Sequence, residues 1–172
     1  QRVPEEINRK IVDHISDINM TYSNYAKQNL LTEGIKHDRI IKIGSPLFEV
    51  YNYYETQINK SKILEKFKKN KNKFILASVH REENVDLDKN LNEIIKSLNK
   101  LITKFKIPVI FSTHPRTREK LKNIKKINKK IIFSEPLNFF DYVKLIKNCK
   151  LIMSDSGSIT EETSILKVPS IN

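Results

Sequence analysis

Short, largely apolar runs alternate with amphipathic segments from Lys73 onward. Runs such as Phe74–Val79, Val109–Ser112 and Leu151–Met153 predict strands that are buried on both faces. Between such runs, apolar residues recur at helical spacing, as in Leu87–Phe105. Strands that alternate with helices form a parallel sheet covered on both faces. The pattern therefore predicts a doubly wound α/β domain.

Further elements continue this alternation. We expect strands at Ile131–Phe133 and from Val168, and helices at Arg116–Ile124, Phe139–Asn148 and from Ser158 to about Lys167. In doubly wound sheets, ligands bind beyond the carboxyl ends of the strands. The residues that follow each predicted strand are therefore the first place to look for a binding site.

Residues 1–45 are predicted to belong to a different domain from residues 46–172. Pro4 followed by two acidic residues is typical of a helix start. The elements expected after this helix are a strand at Met20–Tyr22, a helix at Tyr25–Leu31, a strand at Ile40–Ile43 and a helix from Leu47 to about Lys69. Gly44-Ser45-Pro46 precedes the last of these and predicts a hinge between the domains.

The formal net charge of +12 raises the question of a nucleic-acid partner. The positive residues are almost all lysines, scattered among Asn and Ile over several helices, with no Arg-rich or aromatic-rich pattern beside them. This distribution favours a solvated lysine surface, so we expect no nucleic acid as a partner.

The single cysteine, Cys149, offers neither a disulfide framework nor a zinc motif. No run approaches the length of a transmembrane helix, and no signal peptide is visible. We therefore expect a cytoplasmic protein with no metal and no membrane partner. The chain lacks an initiating Met and stops within a predicted strand, so we interpret it as an internal piece of a longer protein.

Polar groups follow four of the predicted strands. These groups are His80-Arg81-Glu82-Glu83-Asn84, Thr113-His114-Pro115-Arg116, Glu135-Pro136-Leu137 and Ser154–Ser158. Because the carboxyl ends of parallel strands meet at one edge of the sheet, we expect these groups to converge. Two histidines, each followed closely by an arginine, beside a turn of glycine and serine predict a cleft for an anionic small molecule.

The stretch Ser154–Glu162 predicts the sequence strand, turn, helix. In that arrangement the unpaired N–H groups and the positive end of the helix dipole face a bound anion. Gly157 would let the backbone approach a phosphate, while Ser156 and Ser158 add hydroxyl donors. Ser158 and Glu161 also fit a capping box, which is a purely structural role. From these residues alone, both interpretations stay open.

Four motifs together resemble the non-hydrolysing UDP-N-acetylglucosamine 2-epimerase family. They are Pro4–Arg9, Gly44–Pro46, His80–Asn84, and Ser154–Gly157 with Glu161-Glu162, in the family's order and spacing. The resemblance implies two Rossmann-like domains in a GT-B-like arrangement, with the active site between them. This chain would hold the end of the first domain and most of the second. The implied reaction needs no cofactor: UDP is eliminated across C1–C2 to give a glycal and is then re-added with the opposite configuration at C2.

Finer features resemble one branch of that family. Val3–His14, His80–Asn84 and Phe111–Arg116 are similar to the UDP-N-acetyl-L-fucosamine synthases of capsule and O-antigen pathways, which epimerise UDP-2-acetamido-2,6-dideoxy-L-talose. UDP-N-acetylglucosamine is the alternative substrate, and a GT-B glycosyltransferase is a second reading of the same architecture. Where the main branch has a His-X-Asn-Pro motif for an allosteric ligand, this chain has His114-Pro115-Arg116, so we do not expect that control.

The resemblance also implies roles for particular residues. Glu5 matches an acid/base carboxylate, and His80 matches a histidine that contacts the diphosphate and serves catalysis. The turn at Ser156 and Gly157 would bind phosphate, although Ser158 replaces the family's second glycine. The full set expected to bind UDP is His80, Arg81, Tyr142, Ser156, Gly157, Ser158 and Glu162, and further candidates are Arg9, Glu83, Asn84, His114 and Arg116.

In this set Glu162 would hold the ribose hydroxyls, and Tyr142 would line the uridine pocket. The family's remaining acids and its glycine-arginine motif would lie upstream of Gln1. We therefore expect this chain to be catalytically inactive by itself, and the full-length protein to be a homodimer that acts on a UDP-sugar.

Overall fold

The computed structural model describes residues 4–68, 71–79, 81, 84, 87–113, 115–121, 124 and 126–172, with the backbone alone at residues 88, 115 and 116. The chain divides into two compact units, residues 1–50 and 51–172, and each is described by itself. The division falls inside a helix that begins at Pro46, whereas the hinge motif predicts a boundary at residue 45.

Unit 1 consists of helices around a short parallel sheet. Its elements are α1 (Pro4–Ile15), β1 (Asn19–Thr21), α2 (Asn24–Thr32), β2 (Ile40–Lys42) and the first turns of α3 (Pro46–Tyr53). β1 and β2 pair in parallel, with Asn19 opposite Ile40. Ser23 begins α2 by accepting a hydrogen bond from the amide of Ala26. The predicted helices and strands of this region are therefore present.

Unit 2 contains a five-stranded sheet. After the end of α3, its elements are α4 (Glu55–Lys60), α5 (Ile63–Lys66), β3 (Ile75–Ser78), α6 (Asp88–Phe105), β4 (Val109–Ser112), α7 (Pro115–Leu121), β5 (Ile131–Ser134), α8 (Phe139–Asn148), β6 (Ile152–Ser154), α9 (Ile159–Leu166) and β7 (Ser170–Ile171). The strand order is β5-β4-β3-β6-β7, and every pair is parallel.

The sheet is covered on both faces, as the apolar strands predict. Ile75 and Ala77 of β3 pack with the apolar face of α6 on one side. Leu76, between them in sequence, packs with Leu145 of α8 and Ile159 of α9 on the other side. Successive residues of a strand point to opposite faces, so one strand supplies both apolar layers. The doubly wound α/β prediction is confirmed.

The prediction of a single helix from Leu47 to about Lys69 is wrong. Three short helices, α3, α4 and α5, occupy this stretch. Ser61 ends α4 with φ −58° and ψ 130°, outside the helical region. Its hydroxyl donates a hydrogen bond to the carboxylate of Asp141, 80 residues further along the chain. A contact made through the tertiary fold therefore accompanies the break.

A row of serines crosses the sheet where four strands end. Ser78 of β3 lies opposite both Ser112 of β4 and Ser154 of β6, and Ser112 lies opposite Ser134 of β5. The residue before each of these serines is apolar: Ala77, Phe111, Phe133 or Met153. The apolar interior thus gives way to polar groups at the same level on all four strands.

Candidate functional site

The segment after β3 is fixed to the loop after β6 by one carboxylate. Asp155 Oδ2 accepts a hydrogen bond from the backbone amide of Arg81 at 2.9 Å and another from Asn84 Nδ2 at 3.0 Å. The backbone N–H of Asn84 also donates to the backbone carbonyl of Arg81 at 3.0 Å. Two segments that follow neighbouring strands are therefore joined at the carboxyl edge of the sheet.

The guanidinium of Arg81 lies close to the glycine turn. A Cβ atom built on Gly157 would lie 3.8 Å from Arg81 Nη2. Within the turn, the amide of Ser156 donates to Ser154 Oγ at 3.2 Å. A cationic side chain thus lies beside a turn whose residues Gly157 and Ser158 are exposed, an arrangement suited to binding a phosphate.

The first turn of α9 contains a short chain of polar contacts. Ser156 Oγ and Ser158 Oγ are 2.9 Å apart, and Ser158 Oγ donates to Glu162 Oε1 at 2.6 Å. Ser158 has helical backbone angles and makes no capping hydrogen bond through its side chain. The Ser158 hydroxyl therefore does not make the hydrogen bond that a capping box requires of it, and it binds Glu162 instead.

Two tyrosines lie near the Glu162 carboxylate. Tyr142, on α8, lies near the side chain of Ser78 at the end of the central strand. Burial, followed by the negative charge of Glu162, raises the pKa of Tyr142 to about 12, although its neighbour Ser78 lowers it. Tyr51 stacks on Phe139 with 6.1 Å between ring centroids, and burial followed by Glu162 raises its pKa as well.

The structure therefore brings Arg81, Asn84 and Gly157 together at one edge of unit 2. It also places Tyr142 where the charge of Glu162, which Ser158 contacts, raises its pKa. His80, Glu83 and His114 lie outside the described residues, and so does the side chain of Arg116.

Glu5 and Arg9 lie on α1 in unit 1. The Glu5 side chain is exposed. The Arg9 guanidinium is bound by three carboxylates, those of Glu6, Asp13 and Glu33. Hydrogen bonds from Arg9 lower the pKa values of Glu6 and Glu33, and the same contacts raise the pKa of Arg9. In this structure Arg9 organises acids of its own unit.

Sequence reasoning missed two residues of the site in unit 2. Asp155 lies inside the Ser154–Gly157 motif, but a motif does not show which donors its carboxylate meets. Tyr51 has no sequence signal, because its position near Glu162 depends on the packing of α3 against Phe139.

Among the described residues, no group of His, Cys, Asp and Glu side chains is arranged to hold a metal ion. None of the helices searched in that part of the chain is both long and apolar enough to cross a membrane.

A family model for UDP-N-acetylglucosamine 2-epimerases matches residues 1–172, the entire chain. The chain belongs to the UDP-N-acetylglucosamine 2-epimerase family. The α/β fold with a parallel sheet agrees with solved structures of this family. That of the UDP-N-acetylglucosamine 2-epimerase from Rickettsia bellii is 42% identical, with a TM-score of 0.86 over 100% of this chain and 46% of that one.

A second relative in this family is the UDP-N-acetylglucosamine 2-epimerase from Methanocaldococcus jannaschii. It is 36% identical over 99% of this chain and 49% of its own length. A crystal structure of the enzyme from that organism, in complex with UDP-GlcNAc and UDP, superposes with a TM-score of 0.82. That alignment is 36% identical and covers 97% of this chain and 48% of the enzyme. The chain thus spans about half the length of these relatives.

Proposed function

We propose that the protein is a UDP-sugar 2-epimerase and that unit 2 binds the UDP part of its substrate. The observation that carries the proposal is the carboxyl edge of the sheet, where Arg81, the turn at Gly157 and the start of α9 lie together. Family membership and the complex of the Methanocaldococcus jannaschii enzyme with UDP-GlcNAc and UDP support it.

The proposed roles follow from the chemistry of each group. Eliminating UDP places charge on the leaving diphosphate, which cationic side chains and N–H donors stabilise where that charge develops. Arg81 and the turn at Gly157 supply such groups. Glu162, whose Oε1 accepts from Ser158, has a second carboxylate oxygen with which it would accept from the ribose hydroxyls. Tyr142 would provide a wall for the uridine.

The remaining chemistry is assigned by resemblance. The C2 proton is only weakly acidic, so its removal needs a positioned base. We propose Glu5 for this acid/base work and His80 for contact with the diphosphate. Glu83, Asn84, His114, Arg116 and Arg9 are proposed as further binding residues. For Arg9, the three carboxylates that already bind it favour a role in organising α1.

For the substrate, we propose UDP-2-acetamido-2,6-dideoxy-L-talose, because three sequence motifs resemble the L-fucosamine branch. UDP-N-acetylglucosamine is the second candidate, because the Rickettsia and Methanocaldococcus relatives bear the name of UDP-N-acetylglucosamine 2-epimerases. Both substrates share the UDP group and the 2-acetamido sugar, so the proposed UDP site would serve either.

The test follows exchange of the C2 proton in deuterated water for both substrates, using the protein that carries this chain. Exchange with the L-talose sugar alone is expected. Turnover of UDP-N-acetylglucosamine alone would refute the assignment to the L-fucosamine branch. If the C2 proton of neither substrate exchanged, the proposed 2-epimerase activity would be refuted. A glycosyltransferase would instead give a product only when an acceptor is added.

We further propose that the full-length protein is a cytoplasmic homodimer that serves surface polysaccharide synthesis. Light scattering at several concentrations would test the assembly, and a monomer at all of them would contradict it. Cell fractionation tests the location. Loss of the surface polysaccharide on deletion of the protein tests the pathway.

A further inference from the structure

One oxygen atom joins two strand-end segments that the proposed UDP site needs together. Asp155 Oδ2 receives the Arg81 amide at 2.9 Å and Asn84 Nδ2 at 3.0 Å. Asp155 directly follows Ser154, which lies opposite Ser78 in the sheet register. The carboxylate therefore spans the step between the ends of β3 and β6, immediately above the serine row.

A carboxylate at this place has an electrostatic cost. Its negative charge lies beside the turn that would bind a diphosphate, and like charges at short range repel. A residue that weakened the binding of an anion would be unfavourable there unless it contributed something else. What Asp155 contributes is the placement of the main chain at Arg81, which brings that guanidinium near Gly157.

We propose that Asp155 is a positioning residue for the diphosphate: it holds Arg81 and Asn84 close to the Gly157 turn, so that Arg81 and the turn act on the same phosphates. This inference rests on the proposed UDP site. Asp155 itself would not touch the substrate. This role depends on the oxygen that accepts the two hydrogen bonds and does not depend on its negative charge.

Two substitutions of Asp155 are therefore expected to differ in their effect on UDP binding. Asp155→Asn keeps an oxygen that accepts from both donors but removes the charge, so it is expected to bind UDP at least as tightly as the native chain. Asp155→Ala removes the hydrogen bonds to the Arg81 amide and to Asn84 Nδ2 and is expected to weaken UDP binding roughly tenfold. The loss should be smaller for UMP, which lacks the outer phosphate. Asn84→Ala removes one of the two bonds and should give an intermediate loss.

Calorimetry with UDP and UMP measures these affinities. Amide hydrogen exchange without a ligand reports on the hydrogen bond from the Arg81 amide to Asp155. Exchange at Arg81 should accelerate in Asp155→Ala and stay slow in Asp155→Asn. Glu93→Ala removes an exposed carboxylate that pairs with Lys96 on α6, and it serves as the control. Its UDP affinity should equal that of the native chain.

The outcomes separate this inference from the proposed function. If the native protein fails to bind UDP, the UDP site is refuted. If the native protein binds UDP and Asp155→Ala binds it equally well, the positioning role is refuted. Should Asp155→Ala fail to fold, Asn84→Ala and Asp155→Asn decide: equal affinity in Asn84→Ala, or a loss in Asp155→Asn as large as that in Asn84→Ala, overturns the inference.

Discussion

Replacing Gly157 with Ala should affect folding and UDP binding in opposite directions. The backbone at Gly157 is not in the left-handed region, and among the described residues the new Cβ would meet only Arg81 Nη2, at 3.8 Å. That distance is an ordinary contact, so the folded chain accepts the methyl group without strain. Alanine also restricts the unfolded chain, which stabilises the protein by about 0.4–1 kcal/mol. The melting temperature should therefore rise by about 1–4 °C.

The same methyl group would occupy the space through which a phosphate approaches the turn. We expect the affinity for UDP to fall at least tenfold, which corresponds to about 1.4 kcal/mol. Thermal denaturation measures the melting temperature, and calorimetric titration measures the affinity for UDP. A variant that melts higher but binds UDP normally would refute a phosphate site at Gly157.

Gly44 provides a matched control. Its φ is +81°, and a Cβ built there would meet no atom within 4 Å. Gly44→Ala should therefore lower stability by about 1–2 kcal/mol through backbone strain alone, while the affinity of unit 2 for UDP stays the same. If Gly44→Ala and Gly157→Ala lost affinity equally, the loss would have to be attributed to general destabilisation.

Three further predictions concern charged or titratable groups. Glu162→Ala should weaken UDP binding by roughly 1–3 kcal/mol in calorimetry, the scale of a hydrogen bond to a charged group, and an unchanged affinity would remove Glu162 from the site. Arg9→Gln should lower the melting temperature at pH 7 but hardly at low pH. Arg9 lowers the pKa values of Glu6 and Glu33 in the folded chain, and the stability this gives is lost as pH falls through them; an equal loss at every pH would contradict this. Burial raises the pKa of Cys149 to about 12, so its thiol should react with a disulfide reagent at pH 8 only on unfolding, and fast labelling of the native chain would refute this. The contribution of Cys149 to stability is complete below its unfolded pKa and is lost as pH rises toward 12.

Periodicity predicted the elements of unit 2 well where the interior determines them. The strand at Val109–Ser112 and the helix at Phe139–Asn148 have the predicted bounds. The strand residues Val109–Phe111 are fully buried, and Asn138 caps the helix by accepting from the amide of Asp141. Such elements carry their signals in their own sequence, as apolar runs and capping residues.

Contacts between distant segments were not predictable in this way. The break at Ser61 accompanies a bond to Asp141, and the role of Asp155 depends on a segment more than 70 residues earlier in the chain. The pairing of Ser158 with Glu162 instead of Glu161 depends on a backbone angle that the residue types do not determine. Local pattern therefore indicated which segments follow the strands at the carboxyl edge of the sheet, and tertiary geometry decided which atoms meet there.

The serine row has a consequence for how such a protein can change its substrate. The strand residues that precede Ser78, Ser112 and Ser154 pack in the two apolar layers on which folding depends. Beyond these serines, Val79 still packs in one of these layers, whereas Arg81, Gly157 and Ser158 are exposed. Under the proposed function, substitutions at exposed positions beyond this boundary would alter which sugar is accepted while leaving the buried packing intact. New specificities would therefore be expected to arise by exchange of a few loop residues on an unchanged scaffold.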